Sequence, residues 1–339
     1  MMVLSIRRRN FLQGMAAAPL ALTAISVPAF ADGKPSLIRI GSTAPGHLKF
    51  ILARHNGAFD KEFSKDSIKV ELVVFTNGGS EATTALATGA IEITYTGNNP
   101  ALRVAASGAD VNAIGLSSFA KADGSAIIVR ADAPFKTVAD LKGKKVGYLF
   151  GTVRHSIFSK ALRSVGLTTN DLDSLNMAFD ASGPALVRGD VDAIVETEDV
   201  AAKLVEAGQA RVLLDANDHP EWAAPYIISA NGDFARNYPD IVTRLLKVDI
   251  ELARWSEAHP DETIKIFSQE TKSSEKAVRK TYGDGHFYQD PRITDAAIQS
   301  LKGEEAFMSE AKLLKGSVNY DRWIDQTYLD KAYKLADAT

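Results

Sequence analysis

Short apolar runs alternate with helical patterns along the chain, and most of the runs end in glycine, serine, threonine or asparagine. That alternation is the strongest constraint on the fold. Parallel strands need a crossover of a dozen or more residues, usually a helix, so a β-α-β-α order argues an α/β unit with a largely parallel sheet. Leu37-Ile38-Arg39-Ile40 reads as a short strand running into the turn-rich Gly41-Ser42-Thr43-Ala44-Pro45-Gly46, with a helical pattern from His47 to Phe63. Residues Ile68 to Phe75 read as a second strand. Thr76-Asn77-Gly78-Gly79-Ser80 then breaks the chain, with Ser80 placed to cap an Ala/Leu-rich helix that ends near Thr88-Gly89. Ile91 to Tyr95 is a third strand, followed by Thr96-Gly97-Asn98-Asn99-Pro100 and another helix.

A second unit of the same kind begins near Ser125. Its strands are expected at Ala126–Arg130, Lys145–Leu149, Leu175–Phe179, Ala193–Glu196 and Val212–Leu214, with helices near Val138–Leu141, Arg154–Val165, Pro184–Arg188 and Val200–Ala207. One more strand, Pro225–Ala230, precedes wholly helical patterns at Pro239–His259, Asp261–Gln269, Ser274–Tyr282 and Thr294–Leu314, which must cover something already built. At 339 residues the chain exceeds what one core supports. The expected division is residues 36–118 plus 227–339 as one lobe and 124–222 as the other. The chain crosses between them near Ser117–Asp123 and Trp222–Ala230, leaving a cleft between two α/β lobes.

The first 31 residues read differently. Arg7-Arg8-Arg9 precede an apolar stretch from Gly14 to Val27 that ends in Ala29-Phe30-Ala31, the three-part pattern of an export signal cut after Ala31. Arg8-Arg9-Asn10-Phe11-Leu12 also resembles a twin-arginine signal. The stretch is short and Ala-rich for a membrane span. The segment holds three arginines and no acid, so the 39 basic residues become 36 against 42 acidic ones and the net charge moves from −3 to −6. An acidic chain offers no basic footprint for nucleic acid. The absence of cysteine excludes disulfides, Cys-ligated metals, thiolate nucleophiles and lipid attachment at an N-terminal cysteine. The expectation is an exported monomer without cofactor or metal.

In open α/β sheets ligands bind beyond the carboxyl ends of the strands, where helix N-termini present unpaired N–H groups. Small or polar residues stand at four such points: Ser42 and Thr43; Gly78, Gly79 and Ser80; Gly97 and Asn98; and Gly151, Thr152, Arg154 and His155. Each suits an anion, and each also suits an ordinary cap or tight turn. The crossings add Ser117, Ser118 and Tyr226. In the second unit Glu196-Thr197-Glu198-Asp199 follows a strand, so Glu196 and Glu198 either cap the next helix or receive an ammonium group. Helix ends for an anion and an acidic rim for a cation would suit a small zwitterion. Catalytic patterns are missing: no Gly-x-Ser-x-Gly elbow, no Walker loop and no metal spacing among the six histidines. His155 beside Arg154 fits anion contact or solvation of a helix start better than proton transfer.

Three segments carry a resemblance. Thr76-Asn77-Gly78-Gly79-Ser80 with Ala85 through Asn98, then Lys136-Thr137-Val138-Ala139-Asp140-Leu141-Lys142-Gly143-Lys144-Lys145-Val146-Gly147 continuing to Gly151–His155, then Arg188-Gly189-Asp190-Val191-Asp192-Ala193, are similar to substrate-binding proteins of ABC importers for nitrate, aliphatic sulfonates and taurine. The resemblance implies a type II periplasmic binding fold: two α/β lobes joined by a hinge, closing on a small anionic or zwitterionic solute and passing it to the transmembrane subunits of a permease. It implies ligand contacts at Gly78 to Ser80, Gly97, Asn98 and Gly151 to His155. Where sulfonate-binding relatives commonly carry Trp-Asp-Pro, this chain has Thr197-Glu198-Asp199, which keeps a carboxylate and loses the aromatic wall. Thiamine-pyrimidine synthases share the fold and form the enzymatic alternative; they resemble this chain in lobe architecture but carry a cysteine-rich motif, and this chain has no cysteine.

Overall fold

The computed structural model describes residues 33–43, 48–119, 125–281 and 290–338. The segment expected to be an export signal, residues 44–47, 120–124 and 282–289, and with them His47 and His286, lie outside the described residues. The first lobe begins with β1 (Leu37–Ser42), α1 (Leu48–Asn56), α2 (Ala58–Phe63), β2 (Lys69–Val74), α3 (Gly79–Ala87), β3 (Ile93–Gly97), α4 (Asn98–Ala106) and β4 (Val111–Ser118). The second holds β5 (Ser125–Arg130), β6 (Lys145–Tyr148), α5 (Val153–Ser164), β7 (Asp173–Asn176), α6 (Phe179–Arg188), β8 (Ala193–Thr197), α7 (Glu198–Glu206) and β9 (Ala210–Asp215). The chain then returns through β10 (Tyr226–Asn231), α8 (Gly232–Asn237), α9 (Pro239–Ala258), α10 (Pro260–Thr271), α11 (Glu275–Thr281), α12 (Asp295–Glu310), α13 (Tyr320–Trp323) and α14 (Thr327–Asp337).

Two five-stranded sheets share one order: β2-β1-β3-β10-β4 and β7-β6-β8-β5-β9. In each, the one antiparallel strand is the first that the chain forms after crossing over, β10 in one and β5 in the other. Helices cover both faces of each sheet. In the first lobe Phe50, Tyr95 and Leu245 lie in the core on one side, and Leu86, Leu102, Leu301 and Phe307 in the core on the other. In the second, Val146, Tyr148 and Phe158 lie on the α5 side and Leu186, Ile194 and Ala201 on the side of α6 and α7.

The α/β architecture with a largely parallel sheet in each lobe is as expected, while several elements differ from the reading by sequence. The helical pattern from His47 to Phe63 is two helices, because Gly57 takes the left-handed conformation (φ 58°) between them. The strand expected at Leu175–Phe179 is Asp173–Asn176, and the helix after it starts at Phe179, five residues before Pro184. Pro184 lacks an amide to donate back along α6, and the helix tolerates it where the first turn is already tightened by Ala181 N–H bonding Ala178 O. The strand Val111–Ser118 and the C-terminal helices α13 and α14 have no counterpart in the sequence reading.

Candidate functional site

The parallel strands of both sheets end on the seam between the lobes, and both crossings lie there. Gly97 at the end of β3 pairs with Tyr226 at the start of β10, which pairs with Ser118 at the end of β4. Ser42 ends β1 beside Tyr95, and across the seam Thr197 ends β8 opposite Ser125. Helices α3, α4, α5 and α7 all start at the seam ends of strands, so their N-terminal N–H groups, capped in part by side chains, lie on one side of each sheet. The lobes touch here: a β-carbon on Gly97 would lie 2.4 Å from Val153 Cγ2, and one on Gly78 2.8 Å from Leu149 Cδ2. Gly79 answers to a different neighbour, since a β-carbon there would meet Pro100 Cγ at 2.4 Å; its smallness lets α3 pack on α4.

Ser80 is not the cap of α3. Gly78, with φ of 96°, turns the chain two residues earlier, so Ser80 falls inside the first turn and its hydroxyl is exposed. That hydroxyl accepts a hydrogen bond from Arg103 Nη1 at 2.7 Å. Arg103 Nη2 reaches across the seam to the carbonyl of Gly151 at 3.5 Å. Among the described residues no carboxylate lies within ion-pair distance of Arg103, and burial holds its pKa below the usual arginine value. In the sequence a lone arginine one turn into a helix reads as solvent-facing polarity, so nothing there singles out Arg103.

The loop that receives Arg103 is held by its own hydrogen bonds. Thr152 caps α5: its Oγ1 accepts from His155 N–H at 3.4 Å and donates to Leu149 O at 2.7 Å. Gly151 N–H donates to His155 Nδ1 at 3.0 Å, which leaves Nε2 as the protonated nitrogen of the neutral ring. The ring packs 5.2 Å from Tyr148 and 5.6 Å from Phe150 between centroids. Burial and, after it, the charge of Arg103 push the imidazole pKa down to about 4.

The acidic residues are already engaged. Glu196 is buried; its Oε1 accepts from Ser182 Oγ at 2.8 Å and its Oε2 lies 3.5 Å from Arg154 Nε. Burial raises the Glu196 pKa, and Arg154 opposes the rise. Arg154 also stacks on Phe179, 4.2 Å from the ring centroid. Glu198 at the start of α7 accepts from Asn217 Nδ2. Buried Asn98 turns its Oδ1 onto the Asn99 amide at 2.8 Å, and Asn99 Nδ2 donates to Glu304 of α12 at 2.9 Å. Glu304 in turn binds Lys160 of α5 at 2.9 Å, and Arg163 binds Glu310 at 3.1 Å, so two ion pairs join the lobes. Ser42 and Ser117 are buried, while Thr43, Ser118 and Tyr226 are half-buried at the same strand ends. The structure therefore groups Ser80, Gly151 and His155 around Arg103, and Gly97, Ser118 and Tyr226 in one row. It sets Glu196 inside the second lobe and not at an open rim. No cluster of three or more His, Asp or Glu side chains among the described residues could hold a metal.

Comparison with known proteins adds to this geometry. The sequence profile of the family described as NMT1/THI5 like matches residues 44–263. The chain is 29% identical over 219 residues to the putative aliphatic sulfonates-binding protein of Escherichia coli K12, covering 65% of this chain and 66% of that protein, just under two thirds of its length. It is 27% identical over 299 residues to the putative aliphatic sulfonates-binding protein of Bacillus subtilis 168, covering 87% of both. Its fold is similar to that of the alkanesulfonate-binding protein SsuA from Xanthomonas axonopodis pv. citri bound to MOPS, with a TM-score of 0.76 and 21% identity over 86% of this chain and 99% of that one.

Proposed function

The chain belongs to the NMT1/THI5-like family, and from that premise we propose that it is the solute-binding component of an ABC importer. In this reading it is exported to the periplasm, holds a small anionic or zwitterionic solute such as an aliphatic sulfonate between its lobes, and delivers it to the transmembrane subunits of the permease. The observation that carries the reading is the seam itself: Ser80 of one lobe and the Gly151–His155 turn of the other meet through Arg103. A solute placed there touches groups of both lobes at once, and contacts made only when the lobes are joined shift the protein toward that state. The names of the relatives support a sulfonate head.

The lobe assignment that goes with this function is 36–118 plus 227–339 and 124–222. The amine of a zwitterion would have Glu198 as its receptor, in competition with Asn217. The reading is of a receptor without a reaction of its own, because the one lone pair of the imidazole at the seam, on Nδ1, is engaged by a backbone amide and is not free to take a proton.

A thermal-unfolding screen with ethanesulfonate, taurine, nitrate, acetate and a thiamine-precursor pyrimidine tests the proposal. A solute at one hundred times its Kd stabilises the native state by about 2.7 kcal/mol, a readily measured rise in Tm. Ethanesulfonate or taurine is expected to give that rise. The proposal fails if none of the anions does, and turnover of a bound compound by the purified protein would replace it with the enzymatic alternative. Glu198→Gln, measured with taurine and with ethanesulfonate, separates the two solute classes: a selective loss for taurine marks an amine site at Glu198, and an equal effect on both removes it.

A further inference from the structure

We infer that Arg103 is the residue that selects the head group of the solute, and that it selects a fixed anionic charge; the inference rests on the solute-binding reading above and deepens it. The argument is one of charge balance. At the seam Arg154 is paired with Glu196, Lys160 with Glu304 and Arg163 with Glu310. Arg103 alone among these cations is held only by neutral acceptors, a hydroxyl and a carbonyl. A guanidinium carries five N–H donors in a planar fork that matches an oxyanion, and these two contacts leave most of the fork unused. A half-buried cation without a counter-charge is costly to hold, and an incoming oxyanion supplies what the protein does not.

The groups around Arg103 point to the same chemistry. Ser80 Oγ accepts from Arg103 and keeps its own proton to donate. His155, with Nδ1 occupied by the Gly151 amide, carries its proton on Nε2 and is a donor as well. Ser80 and the turn that holds His155 thus bring two protons that can be donated to the neighbourhood of the guanidinium, and the two carboxylates expected to receive an ammonium are bound to Ser182 and Arg154 in one case and Asn217 in the other. Arg103 therefore separates anions from neutral molecules of the same shape, and the amine of taurine adds nothing at this end of the solute.

The competing account is that Arg103 is only a clasp between lobes. Isothermal titration of the full chain with ethanesulfonate and with its neutral isostere ethanesulfonamide distinguishes the two, using wild type, Arg103→Met, Arg103→Lys and, as a closure control, Lys160→Met. The wild type is expected to prefer the sulfonate by tenfold or more. Arg103→Met is expected to lose that preference, with sulfonate affinity falling about 10- to 100-fold, the range of a hydrogen bond to a charged group. Arg103→Lys keeps the charge and retains part of the preference, which covers the case in which the methionine variant does not fold. Lys160→Met weakens both probes in the same proportion. If Arg103→Met, or Arg103→Lys where only that variant folds, retains the full wild-type preference, Arg103 is a clasp and the inference is overturned. If the wild type binds neither probe nor taurine, the solute reading fails and the inference fails with it.

Discussion

Lys160→Met is the perturbation that most directly probes how the lobes are held together. Lys160 lies on α5 and Glu304 on α12, 144 positions apart in the chain and 2.9 Å apart in space. The Glu304 side chain is 2% exposed and that of Lys160 is 26% exposed. Removing the lysine leaves a buried carboxylate with Asn99 Nδ2 as its remaining hydrogen-bond partner among the described residues. Breaking a fully buried pair costs about 3–5 kcal/mol. Here the lysine is partly solvated and the amide contact survives, so about 2 kcal/mol is the reasonable share. That penalty falls only on the state with joined lobes, because separation lets water solvate Glu304. Two kcal/mol is about a 30-fold change in the equilibrium between joined and separated lobes. Apparent affinity follows the population of the binding-competent state, so Kd for any solute rises by up to that factor. Small-angle X-ray scattering of the free protein is expected to show a larger radius of gyration, returning toward wild type when ethanesulfonate is added. Adding Glu304→Gln to Lys160→Met removes the stranded charge and recovers part of the affinity. Wild-type scattering together with wild-type affinity in the single variant would refute the reasoning, since a stranded buried carboxylate cannot leave both unchanged.

Two further outcomes follow from the same seam. Gly97→Ala fits its backbone (φ −61°), but the new β-carbon lies 2.4 Å from Val153 Cγ2 in the other lobe; it should prop the lobes apart and weaken solute binding about tenfold or more with little change in Tm, and Val153→Ala should restore binding, whereas unimpaired binding by Gly97→Ala would show that this contact is not part of the bound state. His155 has a folded pKa of about 4, below its ordinary value of 6.5; between those values the unfolded chain takes a proton that the folded one refuses, so stability falls as pH drops from about 6.5 toward 4 and levels off below. The loss amounts to about 3 kcal/mol, and His155→Asn, which keeps an acceptor near the Gly151 amide, should flatten that part of the urea-midpoint profile. Identical profiles for both proteins would remove His155 as the cause.

Local chemistry made some parts of the site legible. Thr152 could be read as a helix cap because a hydroxyl before an α-helix satisfies N–H groups a few residues away, and the structure shows that use of it. Gly97, Asn98 and Tyr226 could be placed near a cleft because strand ends in α/β sheets converge on one side. Ser80 has the sequence spacing of a cap but is not one, because Gly78 turns the chain at a positive φ that no spacing of polar residues reveals. The strand Val111–Ser118 is hard to read from sequence because Asn112 and Gly115 interrupt its pattern; Gly115 lies against β10 and the carbonyl of Pro291, Ala113 is bridged to Ile324, and these tertiary partners define the strand.

By itself the sequence determined that two α/β units with strand-end loops of small polar residues had to form, because the alternation of apolar runs with helices leaves few other ways to bury both. It also limited the chemistry, through the lack of cysteine and of nucleophile or metal motifs. Which charges stand paired was decided only by tertiary structure. Glu196 could have met a ligand's amine but faces Arg154 and Ser182; Arg103 could have faced solvent but lies between Ser80 and Gly151. Such pairings join residues far apart in sequence, and a charge acquires its role from the dielectric and the counter-ions that packing places around it, neither of which is written in its neighbours along the chain.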